Sequence, residues 1–147
     1  MYKITKKDAI KTLHRCHILS LPIPIYSIED IITDEGYIIV NCAGINYPCI
    51  FRNELIMPEY KTMSACRYGL AHELGHIIIH GRVKSGIDMP SKHEAVADAF
   101  ALYFTMPPQI FEKDIKRMDE WELSDKYGVP IEQVLNRYKL CDECQYH

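Results

Sequence analysis

Apolar residues recur at helical spacing near the start of the chain. Ala9, Ile10, Leu13, Cys16 and His17 share one face at 3.6 residues per turn, which predicts a helix from Asp8 to Leu19. Pro22 and Pro24 stop it and impose an extended link. Ser27 to Ile32 reads as a short helix with Ser27 as its cap. After Gly36 the pattern becomes β-branched: Tyr37 to Val40 predicts one strand, Ile45 to Phe51 a second and Glu54 to Met57 a short third. Pro48 marks the second strand for an edge or a bulge.

The period then returns to that of a helix. Met63 to His80 predicts a long one, with Gly81 placed to end it, followed by a loop from Arg82 to Pro90 containing Gly86. Ser91 to Thr105 is alanine-rich and closed by Met106-Pro107-Pro108. Gln109 to Met118 reads as helical. Asp119 to Lys126 and Ile131 to Leu140 read as a helix pair joined by Tyr127-Gly128-Val129-Pro130, with Pro130 suited to a helix start.

The pattern implies a single α+β domain over 1–147. Its parts are N-terminal helices in 1–35, a small sheet in 36–60, a helix pair in 63–106 and C-terminal helices in 109–140. The expected architecture is mainly helical, with a short antiparallel sheet beside the long helix.

Composition narrows the task. The 147 residues are 48% hydrophobic and 25% charged, with a net charge of −3, which is ordinary for a globular chain. A mildly acidic chain without a Lys/Arg block argues against nucleic-acid binding as the main role. There is no apolar run of membrane-spanning length. The basic start is followed by His14, Arg15 and His17, which break up any leader-like apolar stretch, so the expected location is cytoplasmic. The six cysteines are then expected to be mostly free thiols.

The chemistry concentrates in His72-Glu73-Leu74-Gly75-His76, an H-E-x-x-H inside a predicted helix. Residues four apart lie about 40° apart around a helix and roughly 6 Å apart along it, so both imidazoles can converge on one ion. Glu73, about 100° round from His72, flanks the ion and can reach a water there as a general base. Leu70, Leu74, Ile77 and Ile78 are expected to anchor the opposite face.

A hydrolytic zinc site needs a third protein ligand and an open position. Glu94, 18 residues after His76, can return on an antiparallel helix. Asp98, four residues on, can orient a ligand imidazole from behind. The alternatives are a capping box in which Glu94 bonds back to Ser91, and His80, Asp88 or His93 as third ligand.

The run Arg67 to His80 resembles the active helix of ImmA/IrrE-type metallopeptidases. Glu94-Ala95-Val96-Ala97-Asp98-Ala99-Phe100-Ala101, closed by Met106-Pro107, resembles their second signature. The Glu94–Asp98 spacing is also similar to the glutamate-zincin pattern. The resemblance implies a zincin-like fold and one Zn2+ ion held by His72, His76 and Glu94, with Glu73 as catalytic base. It further implies a cytosolic endopeptidase that cuts a helix-turn-helix repressor of a phage, mobile element or stress response. Tyr103-Phe104-Thr105 departs from the leucines more usual before Met-Pro, a change in packing. Tyr103 and Tyr138 are the residues considered for stabilising the transition state.

Two competing functions remain at this level. One is a non-catalytic module that binds a repressor. The other is a DNA-binding regulator with a structural metal, using the helix pair at 122–140. That pair carries mixed charges, Glu122, Asp125 and Glu132 against Lys126, Arg137 and Lys139, which makes a poor phosphate surface. Cys141-Asp142-Glu143-Cys144, with His147 beyond, could clip a metal, but four ligands are needed and no second pair is evident.

Overall fold

The computed structural model describes residues 2–18, 20–80 and 91–141. Helix α1 spans Lys3–Arg15, earlier at both ends than the pattern predicts. Its buried stripe is Thr5, Ala9, Thr12 and Leu13, and two of these are threonines that an apolar count passes over. Helix α2 spans Ile25–Asp34 and buries Ile28, Ile31 and Ile32. Pro24, not Ser27, stands at its N-cap, because the proline's fixed φ already launches the helix.

Three short strands follow: β1 Ile38–Asn41, β2 Cys49–Phe51 and β3 Glu54–Met57. Their order is β1-β3-β2, with β1 parallel and β2 antiparallel to β3. The sheet is therefore mixed, which corrects the antiparallel expectation. The chain crosses over after β1, runs back along the outer side as β2, then turns at Arg52 (φ 56°) to place β3 between them. Local alternation carries no information about that order. Leu55 faces Ile39 and Ile50 across the sheet and is fully buried, as Met57 nearly is. The expected edge character of the Pro48 segment holds, although only Cys49–Phe51 pairs.

Helices α3 (Met63–His80) and α4 (Ser91–Thr105) have the predicted bounds and pack on each other, with α1 against α4 and α2 against α3. Leu70, Leu74 and Ile77 are buried as expected, and Ile78 is half-buried. The helix does not divide into a core face and a wet metal face, however. Arg67, Tyr68, Ala71, Glu73 and His76 are buried as well, so α3 is the central helix and its polar face is covered by neighbours.

Three short helices close the fold: α5 (Pro108–Asp114), α6 (Glu120–Tyr127) and α7 (Ile131–Tyr138). Asp119 and Glu122 form a reciprocal capping box at the start of α6, and Gly128 (φ 62°) ends it in the left-handed region. Pro130 sits at the N-cap of α7, one position before the helix proper. No described helix is long and apolar enough to cross a membrane. The expected Gly81 cap, the Arg82 to Pro90 loop, Cys144 and His147 lie outside the described residues, while Cys141 is buried.

Candidate metal centre

Successive turns of α3 present His72 and His76, their rings 4.8 Å apart edge to face and their Nε2 atoms 3.2 Å apart. The first turn of α4 supplies Glu94. Its Oε2 lies 3.1 Å from His72 Nε2 and its Oε1 2.8 Å from His76 Nε2. The two helices can approach this closely because Gly75, between the histidines, has no side chain. A Cβ there would meet the Ala97 carbonyl oxygen at 3.0 Å and Phe100 Cβ at 3.1 Å. Both carboxylate oxygens of Glu94 thus face the histidines. The Ser91 and His80 side chains and all of Asp88 lie outside the described residues. His93 is half-buried next to Glu94 in the chain.

Asp98 stands one turn further along α4. Its Oδ1 lies 2.7 Å from His72 Nδ1 and also accepts from the Tyr68 hydroxyl at 3.1 Å. This bond calls for the proton on Nδ1, which leaves a lone pair on Nε2 in the neutral ring. That lone pair then faces His76 Nε2 and the Glu94 carboxylate. Three electron-rich groups so close repel one another unless a proton or a cation lies between them. Tetrahedral ligands about 2.0–2.1 Å from zinc would sit about 3.3 Å apart. The observed 2.8–3.2 Å spacings are those of ligands slightly closed in around such a position. The residues therefore fit a metal: two imidazoles and a carboxylate are a donor set suited to zinc-like cations.

Glu73 belongs to the same cluster. His72, Glu73 and His76 each offer a ligand atom within 4.8 Å of the others. Burial pushes the Glu73 carboxyl up to about 7, with His72 opposing and the Glu94 charge adding to the shift. His72 is also raised: burial pulls it down, but the Asp98 hydrogen bond and the charges of Glu73, Asp98 and Glu94 outweigh that. Burial would raise Asp98, yet its bonds with His72 and Tyr68 hold it below the usual carboxylate range.

Tyr103 and Tyr138 are placed elsewhere. Tyr103, nine residues beyond Glu94 and so about 13 Å along the helix, is buried between Lys6 and Arg137. Tyr138 packs on Phe111, with ring centres 5.9 Å apart. Tyr103 serves the packing around a buried arginine. Two other tyrosines surround the site instead. Tyr68, four residues before His72, holds Asp98 from the far side. Tyr60 lies against Gly69 one turn before Glu73. The i, i+4 spacing from Tyr68 to His72 was the available signal for the first, and nothing in the local pattern signals the second.

Comparison with known proteins follows from this geometry. The IrrE N-terminal-like domain of the M78 peptidase family matches residues 37–139. No match is found among curated proteins. Among solved structures, a Mycobacterium tuberculosis transcriptional regulator shares the fold with a TM-score of 0.76 at 13% identity, over 92% of this chain and 47% of that one. The chain thus spans about half the length of that protein.

Proposed function

Because the chain belongs to the M78 peptidase family of IrrE N-terminal-like domains, we propose that it is a zinc-dependent endopeptidase that hydrolyses a peptide bond in a protein partner. The observation that carries the reading is the meeting of His72 Nε2, His76 Nε2 and both Glu94 oxygens within 2.8–3.2 Å, with Asp98 behind His72. In this proposal His72, His76 and Glu94 hold one zinc ion and leave a position open. Zinc bound there would supply Lewis acidity towards a peptide carbonyl and a water.

The chain's own residues do the rest. Glu73 takes a proton from the attacking water onto a carboxyl oxygen and passes it to the leaving amine. Asp98 fixes the tautomer and direction of His72, and Tyr68 fixes Asp98. An extended substrate would pair with a free sheet edge. Of the two strands next to the turn at Arg52 that edge is β2, because β3 is enclosed between its neighbours. The family resemblance supports a helix-turn-helix repressor of a mobile element or stress response as the partner, met in the cytoplasm.

The test is incubation of the zinc-loaded protein with a candidate helix-turn-helix repressor. Glu73→Gln is expected to keep its metal and its melting temperature and to lose cleavage. Full cleavage by that variant rules the mechanism out. Glu94→Ala is expected to lose stoichiometric zinc, and elemental analysis showing unchanged zinc rejects Glu94 as a ligand.

A second reading has one observation in its favour: the fold neighbour is described as a transcriptional regulator. The domain would then bind a repressor, or DNA, with the metal as a structural tie. A purely structural site has no use for a base beside an open position, so the buried Glu73 favours the peptidase. Repressor relief that survives Glu73→Gln would favour the second reading.

A further inference from the structure

A cavity of about 540 Å³ opens between the C-terminal ends of β1 and β3 and the start of α3, walled by Ile25, Asn41, Pro58, Tyr60, Met63 and Cys66. Its position relative to Glu73 follows from helix geometry. Gly69 is four residues before Glu73 and Cys66 is seven before it, and steps of four and seven return to within about 40° of the same direction. Cys66, Gly69 and Glu73 therefore form one stripe along α3. Gly69 is also seven residues before His76, so it lies between the Glu73 and His76 directions, while Cys66 falls on the far side of Glu73 from both histidines and sets the cavity on the Glu73 side of the site.

Tyr60 joins the two. It lines the cavity, and its phenol lies directly on Gly69, where a Cβ would meet the hydroxyl and would stand 2.7 Å from ring carbon Cζ. Burial raises its pKa to about 12 and the charge of Glu73 adds to that, so the hydroxyl keeps its proton. Helical side chains lean towards the N-terminus, which carries the Glu73 carboxyl towards Tyr60. Gly69 and Glu73 are about 6 Å apart along the axis, and an extended peptide advances about 3.3 Å per residue. A peptide running along α3 from Glu73 towards its N-terminus would therefore reach the Tyr60 wall of the cavity after about two residues.

We propose that this cavity is a side-chain subsite of the peptidase, taking a large apolar or aromatic residue one or two positions from the bond that is cut, with Tyr60 as its wall towards Glu73. This rests on the peptidase reading above. Ile25, Pro58, Met63 and Cys66 make the lining largely apolar, and Glu59 and Lys61 in the same lining carry opposite charges, so no charged side chain is selected. Burial pushes the Cys66 thiol up, which leaves it a neutral wall group and not a nucleophile.

Calorimetric titration of the zinc-loaded protein with two hydroxamates tests this. Acetohydroxamate anchors on the metal alone, whereas N-acetyl-phenylalanine hydroxamate adds a benzyl group within reach of the cavity. The benzyl compound is expected to bind about tenfold tighter, the gain from burying part of a ring. Filling the cavity with Cys66→Phe should bring the ratio of the two affinities towards one. Met63→Trp, from a rim position that is exposed, does the same if the first variant fails to fold. Tyr60→Ala, which removes the wall, should also lower the ratio. A wild-type ratio near one, or a ratio unchanged by the variants, overturns the subsite and leaves the peptidase reading standing. Failure of both hydroxamates to bind zinc-loaded protein overturns the metal site and the subsite with it.

Discussion

In the proposed site Asp98 acts through its hydrogen bond to His72. At 2.7 Å from Nδ1 its carboxylate would set the tautomer that frees Nε2 and raise the basicity of that nitrogen. Asparagine in its place keeps an acceptor of the same shape but removes the charge and introduces a competing donor. Asp98→Asn is therefore expected to weaken zinc binding about 10–100-fold, measured by competition with a chromogenic chelator. Unchanged affinity would make Asp98 a bystander. At this scale the sequence was informative wherever chemistry repeats on one helix: His72, Glu73 and His76 by their spacing, Glu94 and Asp98 by theirs. Tyr68 was legible only as an i, i+4 neighbour of His72, and Tyr60 was not legible at all. Tyr68 reaches an aspartate 30 residues away, and Tyr60 matters because of a missing side chain at Gly69. Neither pairing exists until the chain has folded, and the more conspicuous Tyr103 and Tyr138 went to the core instead.

Between α3 and α4 the deciding residue is Gly75. Ala97 and Ala101 on the facing side are fully buried, and the backbone of α4 passes within van der Waals distance of the glycine. Gly75→Ala would gain helix propensity, yet its methyl group meets a backbone oxygen that cannot swing aside. The expected net result is a loss of about 1–3 kcal/mol of stability. Weaker zinc binding should accompany it, since α4 carries Glu94 away from the histidines. Gly44→Ala is the control, because a Cβ at Gly44 meets nothing within 4 Å. Denaturant midpoints and zinc titrations of both variants check the contrast, and equal stabilities would contradict it. The long helices were legible because helical periodicity and the Pro107–Pro108 stop are local signals. The strand order was not, since β3 enters between β1 and β2 only through a crossover that alternation does not encode. The all-round burial of α3 was equally hidden: His72, Glu73 and His76 look like a surface stripe until α4 covers them.

At the scale of the whole fold, buried charged side chains tie elements together across the apolar core. Arg67 donates from α3 to the Ile23 carbonyl at 2.6 Å and to the Gly128 carbonyl at 2.7 Å, tying the link before α2 to the turn between α6 and α7. Asp114, at the end of α5 and 1% exposed, accepts from the Tyr127 hydroxyl at 2.7 Å and from Arg117 at 3.0 Å, and pairs with Lys126. Burial alone would raise its pKa. The bonds from Lys126, Tyr127 and Arg117 win and hold it down to about 2. An unfolded aspartate titrates near 3.9, so between that value and about 2 the unfolded chain takes up a proton that the folded chain refuses. The stabilisation from Asp114 is therefore complete above about pH 5 and fades as the pH falls towards 2. Asp114→Asn is expected to cost roughly 2–3 kcal/mol at pH 7, the scale of charge-assisted hydrogen bonds. The melting-temperature gap between variant and wild type should then narrow steadily from pH 5 to pH 2.5. Comparing the two proteins at each pH removes the contribution of the other carboxylates. A gap that stays constant with acidification would mean that the Asp114 cluster holds α5 to α6 by shape and not by charge.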